Sequence, residues 1–175
     1  RHGSYGKVLV VYCINNNKYY ALKIFKTEYT LTGIREAKIY SELAKLEGEY
    51  YMTIKDAFLY IDAGSISIDG VKSKHFCCVF DLMGPDLFDV QMMDIFYNGL
   101  PAEYIFKITK QILITLDLFH KHGYIHGDIK PENILIDIDD NIKIIDFEYS
   151  TTNQHPYDIC GTLDYIAPEL YKKNN

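Results

Sequence analysis

This chain of 175 residues has no excess of basic charge: Lys and Arg number 18 against 24 Asp and Glu, for a formal net charge of −6. A nucleic-acid footprint needs a basic patch or stripe, and that class is set aside. There are four cysteines, Cys13, Cys77, Cys78 and Cys160, and their spacing fits no metal-ligand pattern. Adjacent Cys77 and Cys78 would point to opposite faces of a strand. Reduced thiols in a cytosolic or nuclear protein are the plain reading. No apolar run is long enough to span a membrane, and neither a secretory signal pattern, an internal repeat nor a low-complexity tract stands out. The first residue is Arg1 rather than Met, so these residues leave targeting open.

What the chain does have is a core-forming composition, with 48% hydrophobic and 24% charged residues. Its length suits one domain or part of a larger one. The first part reads as strands: Val8–Cys13, a turn at Asn15-Asn16-Asn17, then Tyr19–Phe25. Ile34, Ala37, Ile39, Leu43 and Leu46, interleaved with charged residues that include Glu36, predict a helix. Apolar segments at Ala57–Ile61 and Phe76–Leu82 predict two more strands, with a loop at Asp62–Lys74 between them. Beyond Gly84-Pro85 the pattern turns helical. Pro101 suits a first helical position. Ile105, Ile108, Ile112, Leu116 and Phe119 then predict a long helix ending near Gly123. Short strands Ile134–Ile136 and Ile142–Ile145 flank a turn. Strands with one helix followed by a helical half predict two lobes: residues 1–80, then 81–175 beginning at a hinge.

The chemistry concentrates in His126-Gly127-Asp128-Ile129-Lys130-Pro131-Glu132-Asn133. Such residues can simply cap a turn before a strand. They also suit phosphoryl transfer, in which a carboxylate takes the proton of an attacking hydroxyl, an amide holds a metal, and a Lys offsets the charge in flight.

This stretch closely resembles the catalytic loop of eukaryotic protein kinases. Further motifs follow that family's order across essentially the whole chain. They are the glycine-rich Gly3-Ser4-Tyr5-Gly6 with Val8, the strand Tyr20-Ala21-Leu22-Lys23, Glu36 on the next helix, Asp146-Phe147-Glu148, and Ala167-Pro168-Glu169 preceded by Gly161-Thr162. The resemblance implies an α+β, two-lobed protein kinase fold, truncated at both ends. It implies a Ser/Thr protein kinase using ATP and Mg2+ on a protein substrate. Asp128 would be the catalytic base, Lys130 the phosphoryl stabiliser, and Asn133 and Asp146 the metal ligands. Lys23, oriented by Glu36, would hold the nucleotide phosphates. Val8, Ala21 and Leu135 would sandwich the adenine, with Phe80 as the bulky residue behind it and the backbone of Asp81 and Met83 along its edge. Thr162 and Glu169 would belong to the activation segment.

Three departures from the family pattern matter. Arg1 stands where its first loop glycine is expected. Glu148 replaces a glycine, which restricts the backbone. It also sets a carboxylate ~8 Å from the phosphates, costing roughly 2 kcal/mol at an effective dielectric of about 20. An effect of that size tunes a rate without abolishing it. Gly127 replaces an Arg that receives an activation-loop phosphate, so Ser150, Thr151, Thr152 and Tyr157 are poor on-switches. Activity is then expected to be constitutive or set by a regulatory partner. Two alternatives are a pseudokinase or inactive fragment, suggested by Arg1 and Glu148, and a small-molecule kinase, suggested by His-Gly-Asp. Lys130 and the Gly161–Glu169 segment argue against the second.

Overall fold

The computed structural model describes residues 5–66, 72–93, 97–152 and 161–171. The chain separates into two compact units, Arg1–Leu46 with Met52–Leu82, and Glu47–Tyr51 with Met83–Asn175.

The first unit is an antiparallel sheet with one helix. Strands β1 (Gly6–Cys13), β2 (Lys18–Phe25), β3 (Ile54–Ile66) and β4 (Lys72–Asp81) lie in the order β1-β2-β4-β3. The turn between β1 and β2 puts Asn17 at φ +56, a left-handed position that Asn tolerates better than most residues. β3 and β4 run further than the expected loop at 62–74, pairing as far as Ile66 with Lys72 across an irregularity after Ile61.

Helix α1 (Thr30–Leu43) packs on the sheet face that carries Phe25, Phe76 and Phe80. Its buried positions are Gly33, Glu36, Ala37, Tyr40 and Leu43, an i, i+3, i+4, i+7 stripe. The hydrophobic pattern had put Ile34 on that face, yet Ile34 is 45% exposed and Glu36 only 1%. An ion pair with the sheet, described below, outweighs the local preference of both residues.

The second unit is built on α3 (Ala102–Lys121). Pro101 precedes the helix at ψ 140 and is not its first turn, although its carbonyl accepts the Ile105 amide at 3.0 Å. Ile108, Gln111, Thr115 and Phe119 face inward. Gln111 is buried because it is satisfied: its Oε1 accepts from the Ile142 amide at 2.8 Å and its Nε2 donates to the Asp140 carbonyl at 3.1 Å. That anchors the hairpin of β6 (Ile134–Ile136) and β7 (Ile142–Ile144) to the helix. Phe119, fully buried, meets Tyr51 at 5.5 Å and Phe147 at 5.4 Å between ring centroids. Tyr50 and Tyr51 join this unit through β7, the Tyr50 carbonyl accepting the Ile144 amide at 3.0 Å.

Three smaller features went unforeseen. Helix α2 (Leu87–Gln91) is capped by Asp86, whose Oδ1 accepts the Asp89 amide at 2.8 Å. Strand β5 (Tyr124–Ile125) pairs with β8 (Thr151–Thr152), and a short helix α4 spans Pro168–Tyr171.

Candidate active site

In the second unit the loop from β5 to β6 carries the acid, base and amide. Pro131 opens a 3-10 turn over Pro131–Asn133, which delivers Asn133 to the start of β6. Asp128 is 5% exposed. Its Oδ1 accepts the Thr162 amide at 2.8 Å, and its Oδ2 accepts from Lys130 Nζ at 2.9 Å and from Asn133 Nδ2 at 3.1 Å. The same Asn133 nitrogen donates to the Asp128 carbonyl at 2.8 Å. Lys130 Nζ also donates to Thr162 Oγ1 at 2.7 Å. Asp128, Lys130, Asn133 and Thr162 therefore form one connected cluster.

Burial pushes the Asp128 carboxyl up, but the bonds from Lys130 and Thr162 together outweigh it and hold the group below the usual carboxylate range. Burial likewise disfavours the Lys130 cation, and the bond to Asp128 and its charge reverse that, raising its pKa. Both side chains are charged at neutral pH.

His126 supports the loop from below. Its ring is 2% exposed; Nδ1 accepts the Asp128 amide at 3.2 Å, so Nε2 bears the proton and donates to the Ile145 carbonyl at 3.0 Å. Burial lowers its pKa against the Ile145 bond and the charges of Asp146 and Asp128, which leaves a neutral ring. Ser150, 1% exposed, donates from Oγ to the His126 carbonyl at 3.0 Å. Nothing in the sequence marked Ser150 as buried.

Asp146 follows β7 with φ +68. This is an uncommon backbone for a non-glycine residue, and such strain gathers at functional positions. Phe147 is 2% exposed, its ring 4.9 Å from that of His126. Glu148, at 9% exposure, is not among the positive-φ residues. In this conformation the strain of the motif rests on Asp146, and position 148 asks nothing of glycine.

In the first unit Lys23 Nζ reaches both Glu36 oxygens, at 2.9 and 2.7 Å, with side-chain exposures of 17% and 1%. Strand register puts Val8, Lys23 and Cys78 in one cross-strand row and Val10, Ala21 and Phe80 in the next. Side chains directly opposite share a face, so Val8, Ala21, Lys23 and Phe80 lie on one side of the sheet. Phe80 is buried against Tyr40, with ring centroids 4.9 Å apart. Beside Lys23, burial pushes the Cys78 thiol up to about 12, aided by the Glu36 charge and opposed by Lys23; that sulfur is inert.

The remaining expected site residues divide as follows. Gly3 and Ser4 lie outside the described residues, as does Tyr157. Tyr5 is half-buried, its ring 4.7 Å from that of Tyr29. At Gly6 a Cβ would stand 2.1 Å from the Ile24 carbonyl oxygen, so the approach of β2 itself requires this glycine. Asp81 ends β4 with its carboxylate 2.8 Å from Lys55 Nζ. Met83 and Leu135 are half-buried in the second unit, Leu135 bridging to Asp86. Glu169 is exposed on α4.

Among the described residues no group of three or more His, Cys, Asp or Glu could hold a metal ion. The donor set of Asp146 and Asn133 instead fits Mg2+, which takes one or two protein oxygens beside substrate phosphates. Asn133 turns its nitrogen to Asp128, which leaves the amide oxygen for a cation. Among the described residues no helix is long and apolar enough to cross a membrane.

The chain is also similar in sequence to known proteins. The protein kinase domain model matches residues 2–175. The chain is 28% identical to human ribosomal protein S6 kinase alpha-2, over 98% of this chain and 23% of that protein. It is 30% identical to the cyclin-dependent kinase 4 homolog of Caenorhabditis elegans, over 96% and 41%. With CBL-interacting serine/threonine-protein kinase 12 of Arabidopsis thaliana it shares 27% identity, over 97% and 33%. The chain thus spans less than half the length of each of these relatives. A match that runs through the Lys23–Glu36 pair, the Asp128 cluster and the Asp146 motif alike places this chain in the protein kinase family.

Proposed function

We propose that this chain is the catalytic region of a serine/threonine protein kinase, which transfers the γ-phosphoryl group of ATP to a hydroxyl of a protein substrate. The Asp128–Lys130–Asn133–Thr162 cluster carries the reading. Asp128, ionised and held on three sides, has a carboxylate ready to orient a substrate hydroxyl and take its proton. Lys130, bound to both Asp128 and Thr162, sets a fixed positive charge beside the reacting oxygen. Because the Lys130 partner Thr162 lies in the 161–171 segment, the same bond ties a surface for protein substrates to the catalytic loop.

The other roles follow from the resemblance. Lys23, held by Glu36, binds nucleotide phosphates, and Gly3, Ser4, Tyr5 and Gly6 form the loop over them. Val8, Ala21, Phe80 and Leu135 offer apolar surface for the adenine, with Asp81 and Met83 at its edge. Asn133 and Asp146 hold Mg2+, which when bound neutralises charge on the phosphates. Residues 1–80 and 81–175 correspond to the two lobes, and Glu169 to the end of the activation segment.

The test is transfer of labelled γ-phosphate from Mg-ATP to a Ser/Thr-rich protein by the full-length natural polypeptide, beside an Asp128→Asn control. Asn keeps the shape but cannot take a proton, so transfer should fall by roughly 10²–10⁴-fold while nucleotide still binds. Equal labelling by the control would reject the role of Asp128. Nucleotide binding without labelling by the wild type would identify a pseudokinase.

A further inference from the structure

β3 is an edge strand: the sheet runs β1-β2-β4-β3, so β4 covers one side of it and no described strand covers the other. An edge presents a row of N–H and C=O groups to any strand that can pair with it, and proteins commonly blunt it with charge, proline or a bulge. Along Ala57-Phe58-Leu59-Tyr60-Ile61 there is neither charge nor proline. All five residues are exposed, the four larger ones at 40%, 57%, 48% and 50%. The irregularities of the β3–β4 ladder lie outside this run, before Asp56 and after Ile61.

Two contacts orient the backbone of the run. The Tyr60 amide turns to Cys77 on β4, whereas the Ala57 amide is held by its neighbour Asp56, whose Oδ1 accepts it at 2.8 Å. In an antiparallel ladder alternate residues turn their N–H and C=O groups toward the partner strand and away from it. Phe58 and Tyr60 therefore bond inward to β4, and Ala57, Leu59 and Ile61 offer their backbone groups to the open edge. Side chains alternate as well. Ala57 and Leu59 stand opposite Cys78 and Phe76 on the α1 side of the sheet, and Phe58 and Tyr60 opposite Cys77 and His75 on the other.

A second copy of the same strand fits this pattern in one register. Turned antiparallel about Leu59, it sets Leu59 opposite Leu59, Ala57 opposite Ile61 and Phe58 opposite Tyr60. All three outward residues then meet outward residues, and a shift of two residues either way leaves one of them unmatched. A small side chain faces a large one and aromatic faces aromatic, cross-strand pairs of the kind that stabilise a sheet. We propose that two copies of this chain associate through their β3 edges, antiparallel and centred on Leu59, joining two four-stranded sheets into one. Five residues per copy is far below the roughly 20–30 of a standard interface. The association is accordingly weak, with a Kd on the order of 10–100 µM. It stands apart from the kinase reading and needs no catalysis.

The test is sedimentation velocity of the full-length natural protein at concentrations up to about 200 µM, above that Kd. The wild type should dimerise, and Leu59→Lys and Leu59→Glu should each weaken the dimer at least tenfold. Because position 59 faces itself, an equimolar mixture of the two variants should associate at least fivefold more tightly than either alone. A wild type that stays monomeric overturns the inference and leaves the edge to an extended segment of a different protein. Variants that dimerise as the wild type does, or a mixture no tighter than its components, overturn it as well. If the variants do not fold, amide exchange of the wild type decides the matter. On concentration the Leu59 and Ile61 amides should slow more than twofold while those of Phe58 and Tyr60 do not change; an unchanged Leu59 rate rejects the pairing.

Discussion

Both nitrogens of the His126 ring are committed, Nδ1 to the Asp128 amide and Nε2 to the Ile145 carbonyl. Protonating Nδ1 would turn that acceptor into a second donor facing an N–H. The groups that act on the ring are Asp146 and Asp128, which favour the cation, and Lys130, which opposes it; burial outweighs the acids and the folded pKa falls below 6.5. Below 6.5 the unfolded chain takes up a proton that the folded chain does not. The stabilisation is thus complete above 6.5 and is lost as pH falls from there toward the lower folded value. Urea denaturation midpoints should drop between pH 7 and pH 5.5, and His126→Gln should flatten that slope. An unchanged slope in the variant would assign the effect to other groups. At this scale the sequence showed the acid, the base and the amide plainly, because Asp128, Lys130 and Asn133 are close in sequence and their chemistry is local. It could not show Ser150 or Gln111 turned inward, since a polar side chain is buried only when a distant partner satisfies it.

The placement of α1 turns on a residue without a side chain. A Cβ at Gly33 would lie 2.8 Å from atoms of both the Phe25 and Phe76 rings, and Phe25 is fully buried. Gly33→Ala would gain about 1 kcal/mol of helix propensity. Against that, overpacking a filled core costs roughly 1–3 kcal/mol, and both rings are buried. The substitution should therefore leave stability unchanged or lower it by up to about 2 kcal/mol, the difference of those two terms. Chemical denaturation measures this, and a stabilised variant would show that α1 can shift outward freely. The longer elements were legible within a few residues: β1, β2, α1 and α3 stand where periodicity put them, and the three-residue β6 and β7 fall on the apolar runs Ile134–Ile136 and Ile142–Ile145 beside their turn. α2 and the β5–β8 pair were not, being five residues and two residues per strand, too short for a period to develop. The inward face of α1 was misjudged for a different reason. Burial of Glu36 depends on Lys23, thirteen residues away on another element, and no window along the helix contains that partner.

For the molecule as a whole, the order of motifs carried the family where composition could not, and it also exposed the departure at Gly127 that bears on regulation. A phosphate-driven switch needs a receptor for the phosphate and a segment free to move when it arrives. Here the position for that receptor is Gly127, and the segment is tied down at both described ends. Ser150 and the β5–β8 pairing hold its beginning, while Thr162 holds its far side to Asp128 and Lys130. Ser150 is 1% exposed, with its hydroxyl spent on the His126 carbonyl. A charge at that position would have to be desolvated or expelled, which costs several kcal/mol. Ser150→Glu should accordingly lower transfer activity at least tenfold, and Thr151→Glu, at the edge of the short β8 pairing, should change it less than threefold. Protein stripped by a phosphatase should label its substrate at a rate within threefold of the untreated enzyme. A tenfold rise in either glutamate variant, or a tenfold fall after the phosphatase, would mean that a receptor elsewhere in the protein performs the task that Gly127 cannot.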